Sequence, residues 1–222
     1  MIKISDTEYF SNDGTIRFSN MDCNEFMKGL KENEFDLNLS DPPYGISYDG
    51  AKQTSGAHGG RKAHEFKGWD NNIPLKETFD ELLRTSINQI IWGANYMVEH
   101  IKPSMGWIVW RKDRGNFSSS DCELAYTSFN RALREYTKNP LVLAREGGTI
   151  HPTQKPICLY RWIIHNYTNP TDTILDCFGG SMSHAIAAHM ERRKLTIIEL
   201  DVDYFKSALK RFDFYERQLT LF

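Results

Sequence analysis

The chain has 222 residues, 40% hydrophobic and 13% aromatic, with a formal net charge of −2. That length suits one α/β domain able to bury a sizeable core. The N-terminus turns polar at once, so no signal peptide is read, and no apolar run approaches the roughly 20 residues that cross a bilayer. A cytoplasmic protein with no membrane partner is expected. The cysteines (Cys23, Cys122, Cys158, Cys177) are scattered without a CxxC pair, and the histidines include no HExxH, so neither a disulfide framework nor a metal is expected. Between Lys102 and Arg145, Lys and Arg outnumber Asp and Glu two to one. That local excess is compatible with nucleic acid but does not demand it.

In chain order, Thr15–Phe18 reads as a short strand and Asn24–Lys31 as a helix with Asp22 placed to cap it. Phe35–Ser40 reads as a buried strand stopped by Asp41-Pro42-Pro43-Tyr44-Gly45, because two prolines cannot continue a ladder. Tyr48–Gly68 has no apolar period and reads as a long functional loop. Leu75–Ile87 has the spacing of an amphipathic helix. Asn88–Gly93 and Gly106–Arg111 read as strands, and Asp121–Phe129 with Leu133–Ala144 as strands or a hairpin. Ile157–Tyr167 is helical. Thr173–Asp176, Cys177–Gly180 and Ser181–Glu191 form strand, glycine turn and helix, followed by a strand at Leu195–Glu199 and a helix near Tyr204–Phe212. Strands alternating with helices predict a mostly parallel twisted sheet covered on both faces.

Two segments carry chemistry. In the glycine turn the backbone can approach a ligand closely, and Glu199, 23 positions after Asp176, ends the next strand where an acid can accept ribose hydroxyls. An ordinary βαβ turn accounts for the same pattern; no GKS or GKT points to a phosphate loop. DPPY at a strand end is sharper. An aromatic amine delocalises its lone pair into the ring and is a poor nucleophile until the nitrogen pyramidalises. The Asp41 carboxylate and the Pro42 carbonyl can accept its two hydrogens, Tyr44 offers a flat face to an extruded base, and Pro43 stiffens the turn. Between these segments His151-Pro-Thr-Gln-Lys-Pro156 is by itself a proline-bounded turn.

DPPYG at Asp41–Gly45, HPTQKP at His151–Pro156, DCFGGSMSHAIAA at Asp176–Ala188 and IELDVDYF at Ile198–Phe205 resemble the DNA adenine-N6/cytosine-N4 methyltransferases of the permuted β class, and Asn88–Tyr96, Gly106–Arg111 and Asp121–Ser128 look like phage and prophage forms in particular. The resemblance implies a class I S-adenosylmethionine (SAM)-dependent, Rossmann-like fold in a single domain over 1–222. Its catalytic half would span about 1–110, a small recognition region about 111–150, and the SAM-binding half about 151–222. It implies methylation of an exocyclic amine on DNA, most often adenine N6, as in restriction-modification systems. Cytosine N4 or RNA is the alternative substrate, and an inactive nucleic-acid-binding module the alternative of another class.

Carried over residue by residue, Asp41, Pro42, Pro43 and Tyr44 match the catalytic motif. Asp176, Phe178, Gly180 and Ser181 match the loop around SAM, with Glu199 at the ribose, Thr153 and Lys155 at the methionine end, and Asp22 at an acidic position near the adenine. Arg111, Lys112 and Arg114 suit DNA phosphates. Related enzymes commonly dimerise, so a homodimer is compatible with this assignment. The family's usual Gly-Thr-Thr is replaced here by Met182-Ser183-His184.

Overall fold

The computed structural model describes residues 1–50, 64–113 and 120–219. Most of the loop expected over Tyr48–Gly68 and the phosphate candidate Arg114 lie outside the described residues. The short apolar runs form β1 (Ile2–Lys3), β2 (Glu8–Phe10), β3 (Ile16–Asn20), β4 (Phe35–Ser40), β5 (Ser86–Trp92), β6 (Trp107–Arg111), β7 (Cys122–Thr127), β8 (Arg134–Thr137), β9 (Thr173–Asp176) and β10 (Lys194–Glu199). All ten share one sheet, in the order β1-β2-β3-β10-β9-β4-β5-β7-β6-β8. The central five, β3 to β5 in that order, are mutually parallel. β7 runs against both β5 and β6, and β8 lies parallel to β6.

Central strands are apolar on both faces because helices cover both. Ile174, Leu195 and Ile197 face a core shared with α4 (Ile157–Tyr167), α5 (Ser183–Met190) and α6 (Val202–Leu219). Leu175 and Ile198 face a second core, with Met27 of α1 (Cys23–Lys28) and Phe79 and Leu82 of α2 (Lys76–Thr85). This two-sided burial is what continuous hydrophobic strands require. Ser86, predicted inside the α2 helix, opens β5 instead: its backbone turns extended and pairs with Phe35 of β4.

Two expectations change, and two strands are new. Asp121–Phe129 and Leu133–Ala144 do not pair as a hairpin, because β6 inserts between their strands. The second segment continues past β8 into a short helix, α3 (Val142–Arg145), rather than further strand. The strands β1 and β2, unmarked by any sequence pattern, extend the sheet beyond β3 as antiparallel edges.

The order of strands creates the crevice. From β9 the chain moves outward to β10 on one side, whereas from β4 it moves outward to β5 on the other. β9 and β4 are neighbours at the reversal, and ligands of open α/β sheets bind beyond the carboxyl ends of strands at such a point. Asp41, Gly93, Cys177 and Leu200 each follow directly on the carboxyl end of a central strand.

Asp22 caps α1: its Oδ1 accepts the backbone N–H groups of Asn24 at 2.7 Å and Glu25 at 3.4 Å. Asp22→Ala is expected to cost about 1 kcal/mol and Asp22→Asn much less, because asparagine caps as well as aspartate. Urea denaturation of the two variants measures this; equal loss from both would deny the cap.

Candidate active site

Backbone chemistry places the DPPY segment. The buried Asp70 carboxylate accepts the N–H groups of Tyr44 (2.7 Å), Gly45 (3.0 Å) and Tyr48 (2.8 Å), tying the turn after β4 to the loop before α2. Three N–H groups without a ladder partner are thereby satisfied. The Tyr44 ring stacks on Tyr96 at 5.4 Å between centroids and 17° between planes. It rests against Gly93, which has φ +66°, and a Cβ there would fall inside the ring. Glycine at the end of β5 is thus required twice, by conformation and by space.

The two halves of the chain meet at Asp41. Tyr44 Oη donates to Asp41 Oδ1 at 2.7 Å, and Lys155 Nζ donates to Asp41 Oδ2 at 2.5 Å and to Tyr44 Oη at 3.0 Å. Lys155 is buried, and its ammonium also lies 3.2 Å from Glu123 Oε2, while Lys112 Nζ sits 2.7 Å from Glu123 Oε1. The indole of Trp92 and the ring of Tyr44 flank the Lys155 charge at 5.2 and 5.4 Å. Burial pushes the Asp41 carboxyl up against the pull of Lys155. Burial also opposes the Glu123 charge, but Lys155 and Lys112 outweigh it and hold that carboxyl below its ordinary range. For Lys155, the carboxylates of Asp41 and Glu123 overcome desolvation and keep the ammonium charged.

The glycine turn lies across the crevice. Glu199 accepts Gly180 N–H at 2.6 Å and Asp201 N–H at 2.7 Å, and burial pushes its carboxyl up to about 7 although both bonds favour the anion. A Cβ on Gly179 would stand 3.0 Å from the Ile198 carbonyl. Met182, where the resemblance leads one to expect glycine, adopts φ +53° and ψ 34°. That conformation costs an L-residue roughly 1–2 kcal/mol. The Met182 side chain is wholly buried in the core, and Arg211 Nη1 donates to Ser181 O (2.9 Å) and Ser183 Oγ (3.0 Å) on either side of it. Packing and this guanidinium hold a turn that glycine would adopt unaided.

One cavity of about 950 Å³ joins these parts, lined among others by Asp22, Asp41, Pro42, Pro43, Tyr44, Thr153, Lys155, Phe178, Gly180, Ser181 and Glu199. Its volume is near the upper end for small-molecule sites, roughly 300–1,000 Å³. Asp176, expected in the loop around SAM, is fully buried behind this wall; its Oδ1 accepts Phe178 N–H at 3.0 Å, so in the structure it shapes the turn. Asp176 Oδ2 lies 3.2 Å from Nδ1 of the buried His184 and receives no aligned hydrogen bond. Lys112, expected on DNA phosphate, is buried in the cavity wall with its charge on Glu123. Arg111 is exposed, 3.7 Å from Glu135. The region 111–150 contributes β7 and β8 to the common sheet.

Sequence reasoning missed Glu123, Gly93 and Tyr96. Each lies in a segment that the resemblance covers without giving it a role, and only the pairing of β7 beside β5 and β6 carries Glu123 to Lys155. His151, in sequence merely part of a turn, has a structural place of its own. Its buried ring packs between Trp69 and Tyr204, with centroids 5.0 and 4.4 Å away, and burial lowers its pKa to about 3.

The strand order, the crevice and the glycine turn define a class I methyltransferase fold. A family model described as DNA methylase, of the N6/N4 type, matches residues 109–210. The DNA adenine methyltransferase YhdJ of Escherichia coli is 27% identical over 84% of this chain and 79% of its own. The M1.HpyAVI–SAM complex superposes with TM-score 0.56 at 23% identity, over 86% of this chain and 97% of that one. The cytosine-N4-specific PvuII DNA methyltransferase superposes with TM-score 0.60 at 15% identity, covering 96% and 94%. Over residues 109–210 the chain is thus similar to the N6/N4 DNA methylases, and most of its length is similar to methyltransferases that act on DNA.

Gly93→Ala should overpack the Tyr44 ring and destabilise the protein by about 1–3 kcal/mol. A thermal melt tests this, and an unchanged melting temperature would mean that the ring has room to retreat.

Proposed function

We propose that the protein transfers a methyl group from SAM to an exocyclic amine of an extruded DNA base, adenine N6 foremost. The supporting observation is the geometry at Asp41. The DPPY side chains project into the same cavity as the glycine turn and Glu199, and Lys155 of the second half touches Asp41 of the first. The cavity fits the cofactor: its floor is a glycine turn too tight for a Cβ at Gly179, and the acid Glu199 stands at a strand end beside it.

In this assignment Glu199 accepts the ribose hydroxyls, and Phe178, Gly180 and Ser181 form the wall of the cofactor's seat. Thr153 and Lys155 serve its methionine end, Asp22 lies toward the adenine, and Asp176 supports the turn from behind. When bound, the cofactor supplies an electrophilic methyl on a sulfonium. Asp41 accepts one amino hydrogen and the Pro42 carbonyl the other, so that the nitrogen lone pair points at the methyl carbon. Once that methyl is transferred to the amine, the surplus proton on nitrogen would pass to Asp41, whose raised affinity for protons suits it to receive one. Tyr44 gives the base its stacking face, and the prolines hold the turn.

The DPPY half precedes the cofactor half, the order of the permuted β class. The whole chain acts as one domain, with region 111–150 contributing recognition and Arg111 and Arg114 available for phosphate. DNA is the partner and the cytoplasm the setting, and pairing into a homodimer is compatible with this role. Among the described residues, no helix is long and apolar enough to cross a membrane.

Asp41→Ala is expected to abolish methyl transfer to DNA while leaving SAM affinity within a few-fold of wild type. Tritiated-methyl incorporation and isothermal titration measure the two, and an active variant would refute the acceptor role.

The carboxyl of Glu199 yields a second test. Ribose hydroxyls donate to the ionised form, so binding SAM should release a proton below about pH 7 and strengthen as the pH rises through it. If the bound carboxyl titrates far lower, the dissociation constant at pH 6 is about tenfold weaker than at pH 8. Glu199→Gln should flatten the profile; a wild-type profile already flat would remove Glu199 from the ribose.

A further inference from the structure

Both oxygens of Asp41 already carry donors, Tyr44 Oη on Oδ1 and Lys155 Nζ on Oδ2. Each oxygen keeps a further acceptor site, but the ammonium at 2.5 Å draws on the same negative charge that an incoming amine needs and crowds its approach. A buried cation cannot withdraw from one carboxylate unless another receives it, because an unpaired charge in a low-dielectric wall is strongly disfavoured. Glu123 stands where such a receiver must be. Its Oε2 lies 3.2 Å from Lys155 Nζ, against 2.5 Å for Asp41 Oδ2, so a shift of a fraction of an ångström exchanges the closer partner.

Glu123 itself is fixed. Lys112 Nζ holds its other oxygen at 2.7 Å, and its backbone is paired with Trp110 in the β6–β7 ladder. The four groups alternate in sign from Asp41 through Lys155 and Glu123 to Lys112. Moving Lys155 between the two acids leaves the net charge of the cluster unchanged.

We propose that Glu123 is a positioning residue, the second seat of the Lys155 ammonium, which lets Lys155 slide off Asp41 as the target amine arrives. The proposal rests on the methyl-transfer assignment and extends it to a residue to which the resemblance gives no role. Glu123 never touches the reacting atoms; it acts through Lys155 on the acceptor strength and accessibility of Asp41.

The test compares single-turnover transfer of a tritiated methyl group to unmethylated genomic DNA with the dissociation constant for SAM from titration calorimetry. Wild-type protein, Glu123→Gln and Glu123→Asp are carried in parallel. Glu123→Gln should slow transfer roughly 10- to 100-fold, the scale expected when one charge-assisted hydrogen bond is missing from the transition state. Its SAM affinity should stay within about threefold of wild type. Glu123→Asp, which keeps the charge, should recover part of the rate. A Glu123→Gln rate within threefold of wild type overturns the proposal, as does a loss of SAM affinity equal to the loss of rate. If Glu123→Gln does not fold, Glu123→Asp decides alone: a several-fold slower rate at unchanged SAM affinity supports the second seat, and a wild-type rate overturns it. Wild-type protein that transfers no methyl group would instead overturn the assignment on which the proposal rests.

Discussion

The contact between Lys155 and Asp41 is the constraint on which the arrangement depends. These residues are 114 positions apart in the chain, and their polar atoms stand 2.5 Å apart in a wall that admits little water. Placing opposite charges there requires the HPTQKP turn to lie over the carboxyl end of β4. That in turn requires β9 to pair directly with β4. The sheet's reversal of direction, the cavity and the charged cluster are consequences of a single pairing choice.

Around that contact the protein devotes polar groups to rigidity. Asp70 gathers three N–H groups of the DPPY turn, Glu199 gathers two from the glycine turn and the segment after β10, and Arg211 braces the residues flanking Met182. Each is a charged side chain satisfying backbone that a strand or helix cannot satisfy. Backbone held in this way keeps its shape without a ladder partner. The strained dihedral at Met182 is tolerated because the same side chain fills the core beneath α5.

Much of the fold is legible in the sequence. Phe35–Ser40, Ile157–Tyr167 and Thr173–Asp176 form over the residues expected, since apolar runs bounded by proline, glycine or polar turns leave few alternatives. The segment Leu133–Ala144 misleads. Arg134–Thr137 is a largely exposed strand whose place beside β6 depends on pairing, and Leu141 to Arg145 has too few residues to display a helical period. β1 and β2 are invisible for a related reason: two- and three-residue edges acquire strand geometry from a neighbour.

The residues of the site divide in the same way. Local order along the chain determined how the cavity-lining segments begin and end: DPPY ends a strand because prolines cannot continue one, the glycine turn joins strand to helix, and Glu199 closes the strand that follows. Tertiary structure alone decided what surrounds them. It buried Lys112 and turned its charge toward Glu123, put Asp176 behind the cavity, and set Glu123 against Lys155. A side chain's charge is written in the sequence, but its partner and its exposure to water depend on strands that pair across long stretches of chain.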